Sequence, residues 1–129
     1  MRKTIGYAML SGIAIGIITI YVLPDKLEFF LWPMLMITIG VAIANLYQRG
    51  LFQKGFWHGV VVGIGITLTH ITLTADYLLS HEEEKEKIEE FSEVAPQLLL
   101  LTVAPVYWLM LGGLSGLMAF LWHRSKKNN

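Results

Sequence analysis

The feature that most constrains this chain is a set of four apolar segments, each close in length to a membrane-spanning helix. They cover residues 5–23, 29–47, 57–77 and 98–122. A helix rises 1.5 Å per residue, so about 20 apolar residues cross the ~30 Å hydrocarbon layer of a bilayer. With 54% hydrophobic residues, the chain is also more apolar than an ordinary soluble domain. The pattern predicts four transmembrane helices.

The first apolar segment follows Arg2 and Lys3, so it has to be distinguished from a signal peptide. Its apolar run is longer than the usual core of such a peptide, and no small-x-small cleavage site precedes Pro24. We therefore expect a retained helix. The connections between segments are short, which favours sequential helices lying antiparallel and side by side. The prediction is one all-α membrane domain, residues 1–129, built as an up-down bundle of four transmembrane helices.

The charged residues are distributed unevenly between the two sides of this predicted bundle. Seven of the ten Lys and Arg residues, and no carboxylate, fall on the side of both termini. An excess of cations marks the cytoplasmic side of a membrane protein. We therefore expect both termini to be cytoplasmic and residues 78–97 to be periplasmic or extracellular. The seven cations are Arg2, Lys3, Arg49, Lys54, Arg124, Lys126 and Lys127.

The external segment contains the stretch SHEEEKEKIEEFSEV from Ser80, which holds seven of the ten acidic residues. Ser80 followed by Glu83 forms a capping box, and Pro96 restarts the chain as the last span. This pattern predicts a short acidic amphipathic helix between the third and fourth spans. The charge could attract cations or dock a partner, but a solvated helix face is the more common meaning of such a run.

Small residues recur at four-residue spacing in three of the spans. Helices in lipid pack closely through small side chains rather than by burying apolar ones. The sequence therefore predicts packing seams, within one protomer or between protomers. The glycines concerned are Gly12 and Gly16 in the first span, Gly59 and Gly63 in the third, and Gly112 and Gly116 in the fourth.

His70 is the one ionisable residue well inside a predicted span, which makes it the main functional candidate. Thr67 and Thr74 share its helix face at spacings of three and four residues. Trp108 of the fourth span should lie at a similar depth, and Thr19 could join the group. We predict a polar site of His70, Thr67, Thr74 and Trp108. It is either a proton or solute site or, more simply, a histidine hydrogen-bonded between helices.

Several other functions find no matching residues. The chain has no Cys, which excludes disulfides and thiol chemistry, and its formal net charge of zero gives no sign of nucleic-acid binding. His58 and His70 lie apart on different faces of one helix, unlike a pair of haem ligands. His81 with Glu84 has no specific metal-ligand spacing. No catalytic motif occurs, so we expect no enzyme, no cofactor and no metal.

Four quoted stretches carry a likeness to a known group of proteins: KTIGYAMLSGIAIG from Lys3, QKGFWHGVVVGIGITL from Gln53, HEEEKEKIEE from His81 and APVYWLMLGGLSGL from Ala104. With these, the chain resembles a domain-of-unknown-function family of small four-span bacterial inner-membrane proteins. The resemblance implies that topology and a bacterial inner (cytoplasmic) membrane. It supplies no active residues, since the family has no established activity.

The functional expectation is a non-enzymatic integral membrane protein that acts through helix packing. Its partners would be the lipid bilayer and either further copies of itself, as a homo-oligomer, or the other subunits of a larger membrane complex. The alternative is a small proton- or solute-transporting protein or channel that uses a site near His70.

Overall fold

The computed structural model describes residues 2–80, 82, 85–86 and 95–127. Within these ranges the chain folds into helices and contains no strand. The helices are α1 (Arg2–Tyr21), α2 (Asp25–Leu46), α3 (Leu51–Thr72), α4 (Thr74–Ser80) and α5 (Pro96–Lys127). The all-α prediction is therefore confirmed for the described part of the chain. The predicted acidic helix falls mostly on residues outside it.

In the part of the chain that the structure describes, three helices are long and apolar enough to cross a membrane. They are Lys3–Tyr21 within α1, Leu51–Thr72 and Pro96–Lys127. In α2 the described apolar stretch, Phe30–Leu46, is shorter. By length and composition, these helices are consistent with a helical membrane protein.

Helix α3 lies at the centre of the fold, where it packs against both α1 and α5. Helix α2 packs mainly against α5, and α1 and α2 have little direct contact with each other. This differs from the expectation that sequential helices are neighbours. The reason is the placement of the glycines: α3 carries them on two faces, whereas the glycine of α2, Gly40, meets Met118 and Ala119 of α5.

The relative directions of these helices follow from their contacts. Successive glycines of α3 meet successively earlier residues of α5, so these two helices are antiparallel. The facing pairs are Gly55 with Gly116, Gly59 with Gly112, and Gly63 with Trp108. By contrast α1 and α3 run in the same direction, because Gly12 faces Gly65 and Gly16 faces Thr69.

The helix that contains the third apolar segment begins and ends earlier than the predicted span, residues 57–77. Helix α3 starts at Leu51, directly after Gly50, whose φ of 63° is the left-handed conformation that glycine tolerates best. It ends at Thr72, and α4 begins two residues later. At this break the Thr72 hydroxyl donates to the backbone oxygens of Leu68 and Thr69. Such side-chain bonds to preceding carbonyls bend helices.

Hydrogen bonds join the helix ends at both ends of the fold. At one end Thr4 and Tyr47 share a hydrogen bond of 2.9 Å between their hydroxyls, and Lys126 donates to Asn45 at 2.9 Å. At the other end the Tyr21 hydroxyl donates to Asp76 at 2.6 Å. The cations of α5 therefore lie at the end where α1 begins, and Asp76 lies at the opposite end.

Candidate functional site

His70 lies near the end of α3, enclosed between α1 and α4. Its side chain is 7% exposed. Nδ1 lies 2.9 Å from the backbone oxygen of Ile66, and Nε2 lies 3.3 Å from the hydroxyl of Thr19 on α1. The Tyr77 ring packs edge-on against the imidazole, with 4.7 Å between the ring centroids. Both ring nitrogens therefore have a hydrogen-bond partner.

The hydroxyl of Thr19 can direct its proton to either of two acceptors. Because Nδ1 of His70 faces a carbonyl oxygen, Nδ1 carries a proton and donates it. Thr19 is fully buried, and its hydroxyl is also 2.8 Å from the backbone oxygen of Gly16. Its single proton can go to Gly16 or to Nε2. A neutral imidazole accepts from Thr19, and a protonated one donates to it, so either form of His70 keeps both bonds.

Thr67 and Trp108 form a separate contact on the other side of α3. The indole Nε1 of Trp108 donates to the Thr67 hydroxyl at 3.0 Å, across the interface with α5. The predicted group is thus divided between two interfaces: His70 faces Thr19 of α1, and Thr67 faces Trp108 of α5. The hydroxyl of Thr74 donates to the backbone oxygens of His70 and Ile71, each at 2.8 Å, and so belongs to the helix break.

The predicted glycine seams lie inside a single chain. At several positions a Cβ would point at a carbonyl oxygen of the facing helix, which leaves room only for a Cα–H contact. A Cβ on Gly59 would lie 2.7 Å from Leu111 O, one on Gly112 2.7 Å from Phe56 O, one on Gly116 2.6 Å from Phe52 O, and one on Gly65 2.8 Å from Met9 O. On Gly16 and Gly63 it would meet side chains, Thr69 at 2.7 Å and Trp108 at 2.9 Å. A Cβ on Gly12 would meet the Val62 backbone.

A second polar group, which the sequence did not predict, surrounds His58 at the opposite end of α3. His58 is 5% exposed, and its Nδ1 donates to the backbone oxygen of Lys54 at 2.7 Å. Its Nε2 is buried and has no hydrogen-bond partner among the described residues. The Tyr47 ring lies 6.2 Å from the imidazole, and Lys54 Nζ lies 4.1 Å above the Tyr47 ring centroid. The sequence could have pointed to this group, because His58, Tyr47 and Lys54 all lie near the same predicted end of the bundle.

In the acidic segment, His81 with Glu84 were considered as metal ligands from the sequence, and no metal was predicted. Across the part of the chain that the structure describes, no three His, Asp or Glu side chains come together as a metal site would require. His81 and Glu84 lie outside that part.

Helices long and apolar enough to cross a membrane, packed through small-residue seams, are consistent with the class of helical membrane proteins. No protein family matches the chain, and no curated protein and no solved structure is similar to it. The family resemblance drawn from hydropathy and glycine placement stays a prediction.

Proposed function

We propose that this chain is a non-enzymatic integral membrane protein with four spans that acts through helix packing, as a homo-oligomer or an accessory subunit of a larger complex. The up-down topology is supported by the contact directions, since α3 is antiparallel to α5 and parallel to α1. Helix α2 has 22 residues and so measures about 33 Å, which suits a fourth span.

The proposed orientation has both termini in the cytoplasm of a bacterium and residues 78–97 on the outer side of its inner membrane. Lys54 and Lys126 support it, because both lie at the end of the fold where α1 begins. Lys126 donates to Asn45, and Lys54 lies over the ring of Tyr47, whose hydroxyl is hydrogen-bonded to Thr4. An excess of Lys and Arg at one end is the usual mark of the cytoplasmic side.

The observation that carries the packing function is the environment of His70. Both ring nitrogens of His70 already have partners within the chain, Nδ1 at Ile66 O and Nε2 at the Thr19 hydroxyl, so a transported ion or solute would first have to displace Thr19. It lies beside the closely packed seam of α1 and α3, where Gly16 meets Thr69. This geometry favours a histidine that joins two helices.

Co-expression of two differently tagged copies tests the proposal. In mild detergent, purification through one tag should also recover the copy that carries the other tag. The protein of such a homo-oligomer should have a mass that is a multiple of the 14.6 kDa chain. An accessory subunit should instead co-elute in fixed stoichiometry with another membrane protein. A monomer that elutes alone and drives a proton or solute flux in liposomes would refute the packing function.

Proton or solute transport at His70 is the second candidate, and the Thr19 hydroxyl is the observation that favours it. Because that hydroxyl can donate to Gly16 or to Nε2, the site accommodates a proton on His70 without losing a bond. His70→Gln separates the functions, since Gln retains hydrogen-bonding groups but does not titrate near neutrality.

If His70 joins helices, His70→Gln should be nearly silent and His70→Leu should cost about 0.6–2 kcal/mol of stability, the usual worth of an interhelical hydrogen bond. If it carries protons, His70→Gln should fold normally and lose a pH-dependent flux in liposomes. We expect the first result.

A further inference from the structure

A lateral cleft opens between α1 and α2, with α3 as its floor. It has a volume of about 360 Å³. It exists because α1 and α2 both pack on other helices and hardly touch each other. Since α1 and α3 are of membrane-spanning length, the opening faces the lipid in the proposed arrangement. Its walls include Ser11, Ile15, Leu35, Ile39, His58 and Val62.

The polar groups of the cleft are uncharged: the hydroxyls of Thr4, Tyr7, Ser11 and Thr38 and the imidazole of His58. No Lys, Arg, Asp or Glu occurs among its lining residues. Nδ1 of His58 is occupied by Lys54 O, so in the neutral ring Nε2 is an acceptor without a partner among the described residues. The hydroxyl of Thr38 already donates to Met34 O. A buried acceptor left without a donor is costly, and a ligand hydroxyl would remove that cost.

The dimensions of the cleft indicate a single hydrocarbon chain. From Thr4 to Ile15 the cleft follows α1 for about 16 Å, so its volume corresponds to a cross-section on the order of 20 Å². A helix about 10 Å wide would cover the mouth of this cleft rather than enter it. The volume also lies near the lower limit of the ~300–1,000 Å³ found for small-molecule sites.

We propose that this cleft binds a single-chain, uncharged membrane amphiphile through its hydroxyl head group. The hydroxyl donates to Nε2 of His58, and the chain lies along Ile15, Leu35 and Ile39. An anionic head group finds no cation in the lining, and a molecule without a donor leaves Nε2 unpaired.

Photolabelling of the full chain in phosphatidylcholine vesicles tests the proposal, with hexadecanol carrying a diazirine as the probe. Labelling should saturate and map to the α1 and α2 walls. Unlabelled hexadecanol should compete about fivefold more strongly than methyl palmitate, which has no donor. Fivefold corresponds to ~1 kcal/mol, the typical net worth of one hydrogen bond.

Two variants and one control make the test specific. His58→Phe keeps an aromatic ring but removes the acceptor, so the two competitors should become equal. Ala42→Leu fills the cleft from an exposed lining position and should abolish labelling, while Ala14→Leu, exposed on α1 outside the lining, should leave it unchanged. If His58→Phe fails to fold, as judged by circular dichroism and gel filtration, Ala42→Leu decides.

Three results would overturn the proposal. The first is labelling that does not saturate or that persists in Ala42→Leu. The second is equal competition by hexadecanol and methyl palmitate in the natural chain. The third is a disulfide-linked dimer formed by Ser11→Cys in vesicles, which would assign the cleft to a second copy of this chain.

Discussion

Replacing Gly59 with alanine tests whether the contact between α3 and α5 is as close as the structure has it. A Cβ at this position would lie 2.7 Å from Leu111 O and 2.8 Å from Gly112 Cα. Both atoms belong to the backbone of α5, so no side chain can rotate away. Because non-bonded carbons prefer about 3.5–4.0 Å, the two helices would have to separate by roughly 0.7 Å along the seam.

The expected magnitude combines two opposing effects. Overpacking of a close contact costs about 1–3 kcal/mol. Alanine also favours the helical conformation by ~1 kcal/mol relative to glycine, which partly offsets that cost. Gly113 separates the two effects, because a Cβ there would meet nothing within 4 Å. Gly113→Ala should therefore show the gain in helix propensity alone, and Gly59→Ala should be about 1–3 kcal/mol less stable than Gly113→Ala.

Unfolding in mixed micelles of a mild detergent and SDS measures this difference. Far-ultraviolet circular dichroism follows the helices, and fluorescence follows the four tryptophans, of which Trp108 packs against Gly63 in the same seam. The two glycines lie on the two partner helices of one interface, so lipid and detergent effects should be similar for both. Equal stability of the two variants would refute the backbone-to-backbone contact, as would a Gly59→Ala protein more stable than Gly113→Ala.

Three further predictions follow from single observations. Trp108→Phe should lower the free energy of unfolding by about 0.6–1.7 kcal/mol in the same assay, because it removes the indole bond to Thr67; no loss would contradict that bond. Gly50→Ala should cost about 1–2 kcal/mol, because alanine is strained at a φ of 63°; an unchanged unfolding midpoint would contradict the left-handed turn. In this Cys-free chain, a membrane-impermeant thiol reagent should modify Glu86→Cys in intact cells and spare Ser125→Cys; the reverse pattern would invert the proposed orientation.

The length of the apolar segments predicted the helical class correctly, because lipid requires a minimum apolar length. The same apolar pattern predicted the ends of α3 less accurately. The helix begins six residues before Trp57, with Gln53 and Lys54 in its first turns, because the left-handed Gly50 sets the start. Apolar content marks where a helix can lie in hydrocarbon, whereas turn glycines and threonine hydroxyls mark where the helix itself begins and ends.

The spatial order of the helices was the feature that sequence reasoning missed. Short connections suggested α1 beside α2, but the glycines decide the contacts. Gly63 and Gly65 are two residues apart, which rotates them by about 200° around α3. One faces Trp108 of α5 and the other faces Gly12 of α1. This spacing indicates a helix with a glycine seam on each of two faces. Such a helix lies between two neighbours and is therefore at the centre of the bundle.

The four residues predicted as one polar site do not form one group in the structure. Thr67 and His70 are three residues apart, about 60° around the helix, which is enough for them to face different neighbours. A shared face in a helical projection was read as one site, but α3 has a neighbour on each side of that face. Which side chain meets Thr19 and which meets Trp108 depends on helix positions that the periodicity of one helix does not contain.

The two buried histidines of α3 have opposite energetic roles, and this decides where a ligand would act. His70 has partners at both ring nitrogens, so its burial is compensated within the chain. His58 is equally buried, yet its Nε2 has no partner among the described residues, and such a group costs about 1–3 kcal/mol. A donor that enters the cleft recovers part of this energy, whereas the same donor near His70 would first have to displace Thr19. The chain therefore favours ligand binding at His58, and helix association is the simpler role for His70.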